Sequence, residues 1–108
     1  MALAVALSSA STPTSFRAEE RLPTLMERGQ LRRAASVAEG RLQSQPDDVE
    51  ALRVLATIRA RQRRFDEATR LAERAVAAAP RNAAAHYALA EVCGARARSE
   101  PGKGRRRT

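Results

Sequence analysis

The cleanest hydrophobic stripe in the chain is Ala68, Leu71, Ala72, Ala75, Val76 and Ala79, with charged residues between its members. The i, i+3, i+4, i+7 spacing gathers these side chains on one face of an α-helix. A second stripe of the same kind runs through Leu31, Ala34, Ala35, Ala38 and Leu42, with Arg32, Arg33, Glu39 and Arg41 off it. From Val49 to Gln62 the apolar positions widen to Ala51, Leu52, Val54, Leu55, Ala56 and Ile58. A helix that is apolar over more than half its circumference packs between neighbours. The pattern therefore predicts a central helix with an amphipathic helix on either side.

Punctuation agrees with the stripes. Pro46 and Pro80 stop the helices before them, because proline lacks the N–H that a helix interior needs. Asp47-Asp48 caps the central helix, with Glu50 three residues after Asp47 in a capping-box arrangement. Arg61 to Arg64 makes the next turn, and Asn82 caps a last helix from Ala83 to Arg98. Asp66 and Glu67 fall in a first helical turn, where the dipole favours negative charge, and Asp66 is spaced to pair with Arg70. Upstream, Thr12-Pro13 suits a helix start, whereas Pro23 should kink or split a helix running from Phe16 to Arg28, which Gly29 ends.

The pattern also repeats at one constant interval. Pro46 recurs as Pro80, Leu55 as Leu89, Ala56 as Ala90 and Ala34 as Ala68. A period of this length marks stacked helix–turn–helix units. Residues 49–82 resemble a complete tetratricopeptide repeat. Leu52 stands at the usual tryptophan position, Leu55-Ala56 at the Leu-Gly pair, and Ala68, Ala75 and Pro80 at the small-residue and proline positions. The alanines allow close helix approach, and Phe65 is placed to plug the turn. Two departures should thin the packing: Arg59 stands where tyrosine is common, and Ala72 where a large aromatic is usual.

Residues 15–48 resemble a degraded repeat, in which Gly29, Leu31, Ala34, Leu42 and Pro46 fit but Arg41 replaces a small residue and Pro23 interrupts the first helix. Residues 83–98 resemble the first helix of a third repeat. The expected fold is all-α: an α-solenoid of about five antiparallel helices forming about two and a half repeats over 15–98. A flexible segment, 1–14, precedes it, and a basic disordered tail, 99–108, follows.

Composition tempers this picture. Aromatics are limited to Phe16, Phe65 and Tyr87, while alanine is the commonest residue type. Such a core buries little area per residue, so stability should be modest, or the ends of the array should self-associate. The net charge is +8, and all the basic residues except Lys103 are arginine. A GC-rich genome writing arginine codons explains that skew, and so does an anion-binding surface. The single cysteine, Cys93, excludes an intramolecular disulfide and suits a reducing, cytoplasmic setting. No stretch is long enough to span a membrane. The apolar start Met1 to Leu7 is short and has no positive residue before it, unlike a secretory signal. Ser8 to Ser15, rich in hydroxyls, has something of a transit peptide's composition, against the alternative of a disordered lead.

The resemblance implies binding of a peptide in a groove lined by the first helix of each repeat. The matching positions are Glu50, Arg53, Thr57 and Arg61, with Tyr87 and Glu91 in the last helix; the alternative is an ordinary solvated helix face. One subclass grips a C-terminal carboxylate with lysine, asparagine and arginine, but those phases hold Glu19, Pro23, Val54, Ala84 and Ala88, so that clamp is absent. His86 and Cys93 share a helical face, yet two ligands do not make a metal site. At the tryptophan and tyrosine phases they are read as packing residues. No metal or cofactor is expected. A thin repeat also offers Cys93 no shaped pocket or activating base, so no enzyme activity is expected.

The expected function is a non-catalytic protein–protein interaction module, adaptor, scaffold or co-chaperone-like, whose partner is a peptide or helix of another protein. Leu25-Met26-Glu27-Arg28-Gly29-Gln30-Leu31 is similar to a turn in small cytoplasmic chaperones of type III secretion needle subunits, which gives one alternative. A basic nucleic-acid accessory protein is the other, through Arg59–Arg64 and Arg105–Arg107, although these segments lack the interleaved aromatics of single-strand readers.

Overall fold

In the computed structural model, residues 21–100 are described, and they form five helices and no strand. These are α1 (Leu22–Glu27), α2 (Leu31–Ser44), α3 (Val49–Arg61), α4 (Phe65–Ala78) and α5 (Ala83–Ser99). The expectations for residues 1–14, and for the tail beyond Glu100, lie outside the described residues. The repeat period holds to the residue: α2 and α4 start at Leu31 and Phe65 and end at Ser44 and Ala78, and α3 and α5 start at Val49 and Ala83.

The caps follow the same register. Asp48 and Asn82 hold extended backbone, and their side chains accept from the N–H groups of Ala51 and Ala85, each at 3.1 Å. The Asp47–Glu50 capping box is therefore corrected. Asp48 is the cap, and Glu50 turns back to Arg41 at 3.1 Å instead of closing a box. Arg41 also binds Asp48 through two hydrogen bonds, Nε to Oδ2 at 2.9 Å and Nη2 to Oδ1 at 3.0 Å. The arginine that spoils a small-residue position thus ties the end of α2 to the start of α3.

Both helix–turn–helix junctions are Schellman turns. At α1, the Gln30 N–H donates to the Leu25 carbonyl at 2.9 Å and the Gly29 N–H to Met26 at 3.1 Å, with Gly29 at φ +73°. At α3, Arg64 donates to Arg59 at 2.8 Å and Arg63 to Ala60 at 2.9 Å. Arg63 stands one repeat after Gly29 and adopts the same left-handed geometry, φ +65°, without glycine's freedom. The stretch of the expected Phe16–Arg28 helix before Arg21 lies outside the described residues, and Pro23 does not kink the part that is described. It sits in the first turn of α1, where its missing N–H costs nothing, and the preceding Arg21 is extended. Asp66 departs from expectation, pairing with Arg96 of α5 and not with Arg70.

Helix α3 packs against α2, α4 and α5, which is why its apolar surface is so wide. Ten of the eighteen buried apolar residues are alanine, and only Leu22, Leu25, Leu52, Ile58 and Val92 are large and fully enclosed. Arg59 is the one buried charged residue among those described, at 8% exposure. Its Nε donates to Glu67 of α4 at 3.0 Å, its Nη1 to Gln62 at 3.0 Å, and its Nη2 to Glu39 of α2. The expected thinning at this position is thus corrected. The long side chain fills the gap and links three helices.

Leu71, 7% exposed on α4, packs within this core. We expect Leu71→Ala to cost about 2–5 kcal/mol, read as a lower urea midpoint, whereas Arg53→Ala should leave it nearly unchanged. Arg63→Gly should raise stability by about 0.5–1 kcal/mol, since it relieves a left-handed arginine. A lower midpoint for that variant would contradict the turn geometry.

Candidate functional site

The expected groove face is built by α3 and α5, the equivalent helices of successive repeats. Along α3, Arg53, Thr57 and Arg61 recur at i+4 and so fall in one line. The Thr57 hydroxyl is engaged along its own helix, donating to the Arg53 carbonyl at 3.1 Å. Along α5, Glu91, Ala95 and Arg98, spaced by four and then three residues, also share one face. Between the two helices lies a cleft of about 180 Å³, walled by Thr57, Arg61, Glu91 and Arg98 over a floor that includes Ala60, Val92 and Ala95. A second, more open hollow adjoins it at the α3–α4 turn, sharing Ala60, Arg61, Ala95 and Arg98 and adding Arg63, Phe65 and Ser99.

Three of the six expected positions, Thr57, Arg61 and Glu91, thus meet around one cleft. The other three do not line it. Glu50 is held by Arg41, Arg53 stands one turn before Thr57, and Tyr87 stands one turn before Glu91 with 65% of its surface exposed. Sequence reasoning missed Arg98. The last helix was expected to run to about that residue, and α5, which ends at Ser99, holds Arg98 one turn beyond the Glu91–Ala95 line. The available signal was its spacing of seven from Glu91. Gly94 makes room for it, since a Cβ there would lie 3.3 Å from Arg98 Nη1.

Charge in the cleft and the adjoining hollow is unbalanced. Arg61, Arg63 and Arg98 face a single acid, Glu91. Four arginines elsewhere are committed to acids: Arg41 to Asp48 and Glu50, Arg59 to Glu39 and Glu67, Arg64 to Glu67, and Arg96 to Asp66, while others such as Arg28, Arg70 and Arg81 are not, among the described residues. Arg96 also lies 6.0 Å from the Phe65 ring centroid, so the one aromatic lining the adjoining hollow is already covered.

The reading of His86 and Cys93 as packing residues is corrected. Both are exposed, and Ala90 between them is exposed too. Their counterparts one repeat earlier, Leu52, Ala56 and Arg59, are buried because α3 is covered on that side by the helices around it. No described helix covers the equivalent face of α5. A ring nitrogen of His86 instead lies 2.6 Å from the Pro80 carbonyl. No group of three His, Cys, Asp or Glu side chains is clustered for a metal among the described residues, and no described helix is long and apolar enough to cross a membrane.

The family model described as Tetratricopeptide repeat matches residues 25–92, more than half of the chain. No curated protein and no solved structure matches it.

Gly94 offers a test of the cleft wall. We expect Gly94→Ala to stabilise α5 by about 0.5–1 kcal/mol, because the only close neighbour is the tip of a flexible arginine that can shift by a few tenths of an ångström. Denaturation curves of the two proteins check it. A destabilised variant would mean that Arg98 is held rigidly where it lies.

Proposed function

The chain belongs to the tetratricopeptide repeat family, and on that premise we propose that it is a non-catalytic module that holds a peptide or helix of another protein in the α3–α5 cleft. Proteins of this family typically mediate protein–protein interaction. The observation that carries the proposal is the convergence of Thr57, Arg61 and Glu91 on one open cleft between equivalent helices. An adaptor, scaffold or co-chaperone-like role in the cytoplasm is the finer form of the same proposal. The exposed, unpaired thiol of Cys93 is compatible with a reducing compartment.

The alternatives lack an observation of their own. The Leu25–Leu31 stretch, from which the needle-subunit chaperone reading came, is accounted for by the Schellman turn at Gly29. The nucleic-acid reading came from two segments: Arg105–Arg107 lies outside the described residues, and in the Arg59–Arg64 cluster Arg59 is buried and paired and Arg64 is paired to Glu67.

Charge reversal at Arg53 and Arg61 together tests the proposal. We expect the doubly reversed protein to lose a partner that the wild type retains in a pull-down, with its circular dichroism unchanged. Deletion of residues 101–108 should leave that partner bound. The reverse pattern, with retention falling steeply in salt, would favour nucleic acid, since phosphate contacts release counterions.

A further inference from the structure

The cleft's chemistry narrows the class of partner. Arg53, Arg61 and Arg98 are cations on and beside the groove face, and none has an ion-pair partner among the described residues. Arg41, Arg59 and Arg96 meet acids across helices, whereas Arg53, Arg61 and Arg98 share their free charge with arginines such as Arg28, Arg70 and Arg81 elsewhere on the described surface. What sets Arg61 and Arg98 apart is that they line one cleft. The two guanidiniums that wall the cleft flank an apolar floor of Ala60, Val92 and Ala95, and its open volume of about 180 Å³ suits one or two side chains. A planar guanidinium pairs best with a carboxylate or phosphate, and it pairs more strongly beside low-dielectric walls than in open water.

Two observations favour a carboxylate on a polypeptide over a nucleic-acid phosphate. Glu91 stands within the cleft wall and repels a continuous polyanion, whereas a peptide can set a single acid opposite the arginines and a backbone N–H opposite Glu91. Phe65 beside the cleft has Arg96 over its ring, which leaves the exposed Tyr87, one turn before Glu91, as a single ring and not the row of aromatics on which successive bases stack.

Resting on the groove reading above, we infer that the α3–α5 cleft selects an acidic segment of another protein, with a side-chain carboxylate seated between Arg61 and Arg98 and small apolar side chains on Ala60, Val92 and Ala95. This differs from a clamp on a chain terminus, because the receiving arginines wall a side-chain-sized cleft. Gly94 lets the Arg98 guanidinium lie back along α5, so the cleft is open to a segment passing over it. The chain's excess of positive charge would steer such a segment inward, which speeds association more than it tightens binding.

Fluorescence anisotropy on the full chain tests this with three labelled probes: a short peptide of glutamate, alanine and leucine, the same peptide with glutamine for every glutamate, and an oligothymidine. The glutamate peptide should bind about tenfold more tightly than the glutamine peptide. Arg61→Ala and Arg98→Ala should each erase most of that difference with unchanged circular dichroism, and the oligothymidine should bind more weakly than the glutamate peptide. Ala95→Phe, which fills the cleft without altering charge, should weaken both peptides, and its circular dichroism checks that it folds. If both peptides bind equally and both are lost in Ala95→Phe, the acidic preference is wrong while the groove reading stands. If neither peptide binds, or neither responds to Ala95→Phe in a folded variant, both ideas fail. Oligothymidine binding in preference to the glutamate peptide would overturn the choice of partner class. Because Arg61 is exposed, its variant gives a result even if Ala95→Phe does not fold.

Discussion

The guanidinium of Arg59 is the point on which the arrangement of the central helices turns. Its side chain reaches Glu39 on one neighbouring helix and Glu67 on the other, while its own carbonyl accepts the Arg64 N–H that closes the α3–α4 turn. One residue thus fixes the mutual position of three helices. Burying a charge is costly unless it is paired and its donors are satisfied. Here the two carboxylates keep contact with water, their side chains 51% and 36% exposed, so the desolvation falls mainly on the arginine. The pairing also specifies register, since a slip of either neighbouring helix by one residue would carry an acid away from it.

Around that point the core is built from closeness instead of bulk. Alanine at positions 34, 38, 51, 56, 68, 72 and 75 is wholly enclosed. Small side chains let helix axes approach, so dispersion contacts form between backbones as well as side chains. The cost is a small apolar area per residue. Polar ties across the helix pairs supplement it: Arg41 with Asp48 and Glu50, Arg74 with the Pro46 carbonyl at 3.1 Å, and Arg96 with Asp66. The arginine skew of the composition is therefore partly structural, and the groove face holds arginines that these ties leave over.

Much of the fold was legible because helical periodicity and punctuation are local signals. The stripes of α2 and α4, the wide apolar surface of α3, the Asn82 cap and the stops at Pro46 and Pro80 all depend on residues a turn or two apart. What escaped depends on residues far apart in sequence. Arg59 looked like a packing defect because its acids, Glu39 and Glu67, lie on two other helices. His86 and Cys93 looked buried because their phase in the repeat is a buried one, and only the three-dimensional arrangement shows that nothing described covers them. In the cleft, Thr57, Arg61 and Glu91 followed from phase alone. Arg98 did not, because its counterpart one repeat earlier, Arg64, lies in the turn after α3 and gives no groove phase to carry over.

Cys93 stands exposed on the same long helix, two residues from Ala95 and therefore on roughly the opposite side from the cleft floor. As the chain's single thiol, it is a natural attachment point for a fluorophore or spin label. A probe there would sit on the back of the helix that forms one wall of the groove. It would report tilting or ordering of that wall without entering the groove, and no cysteine need be added or removed to place it.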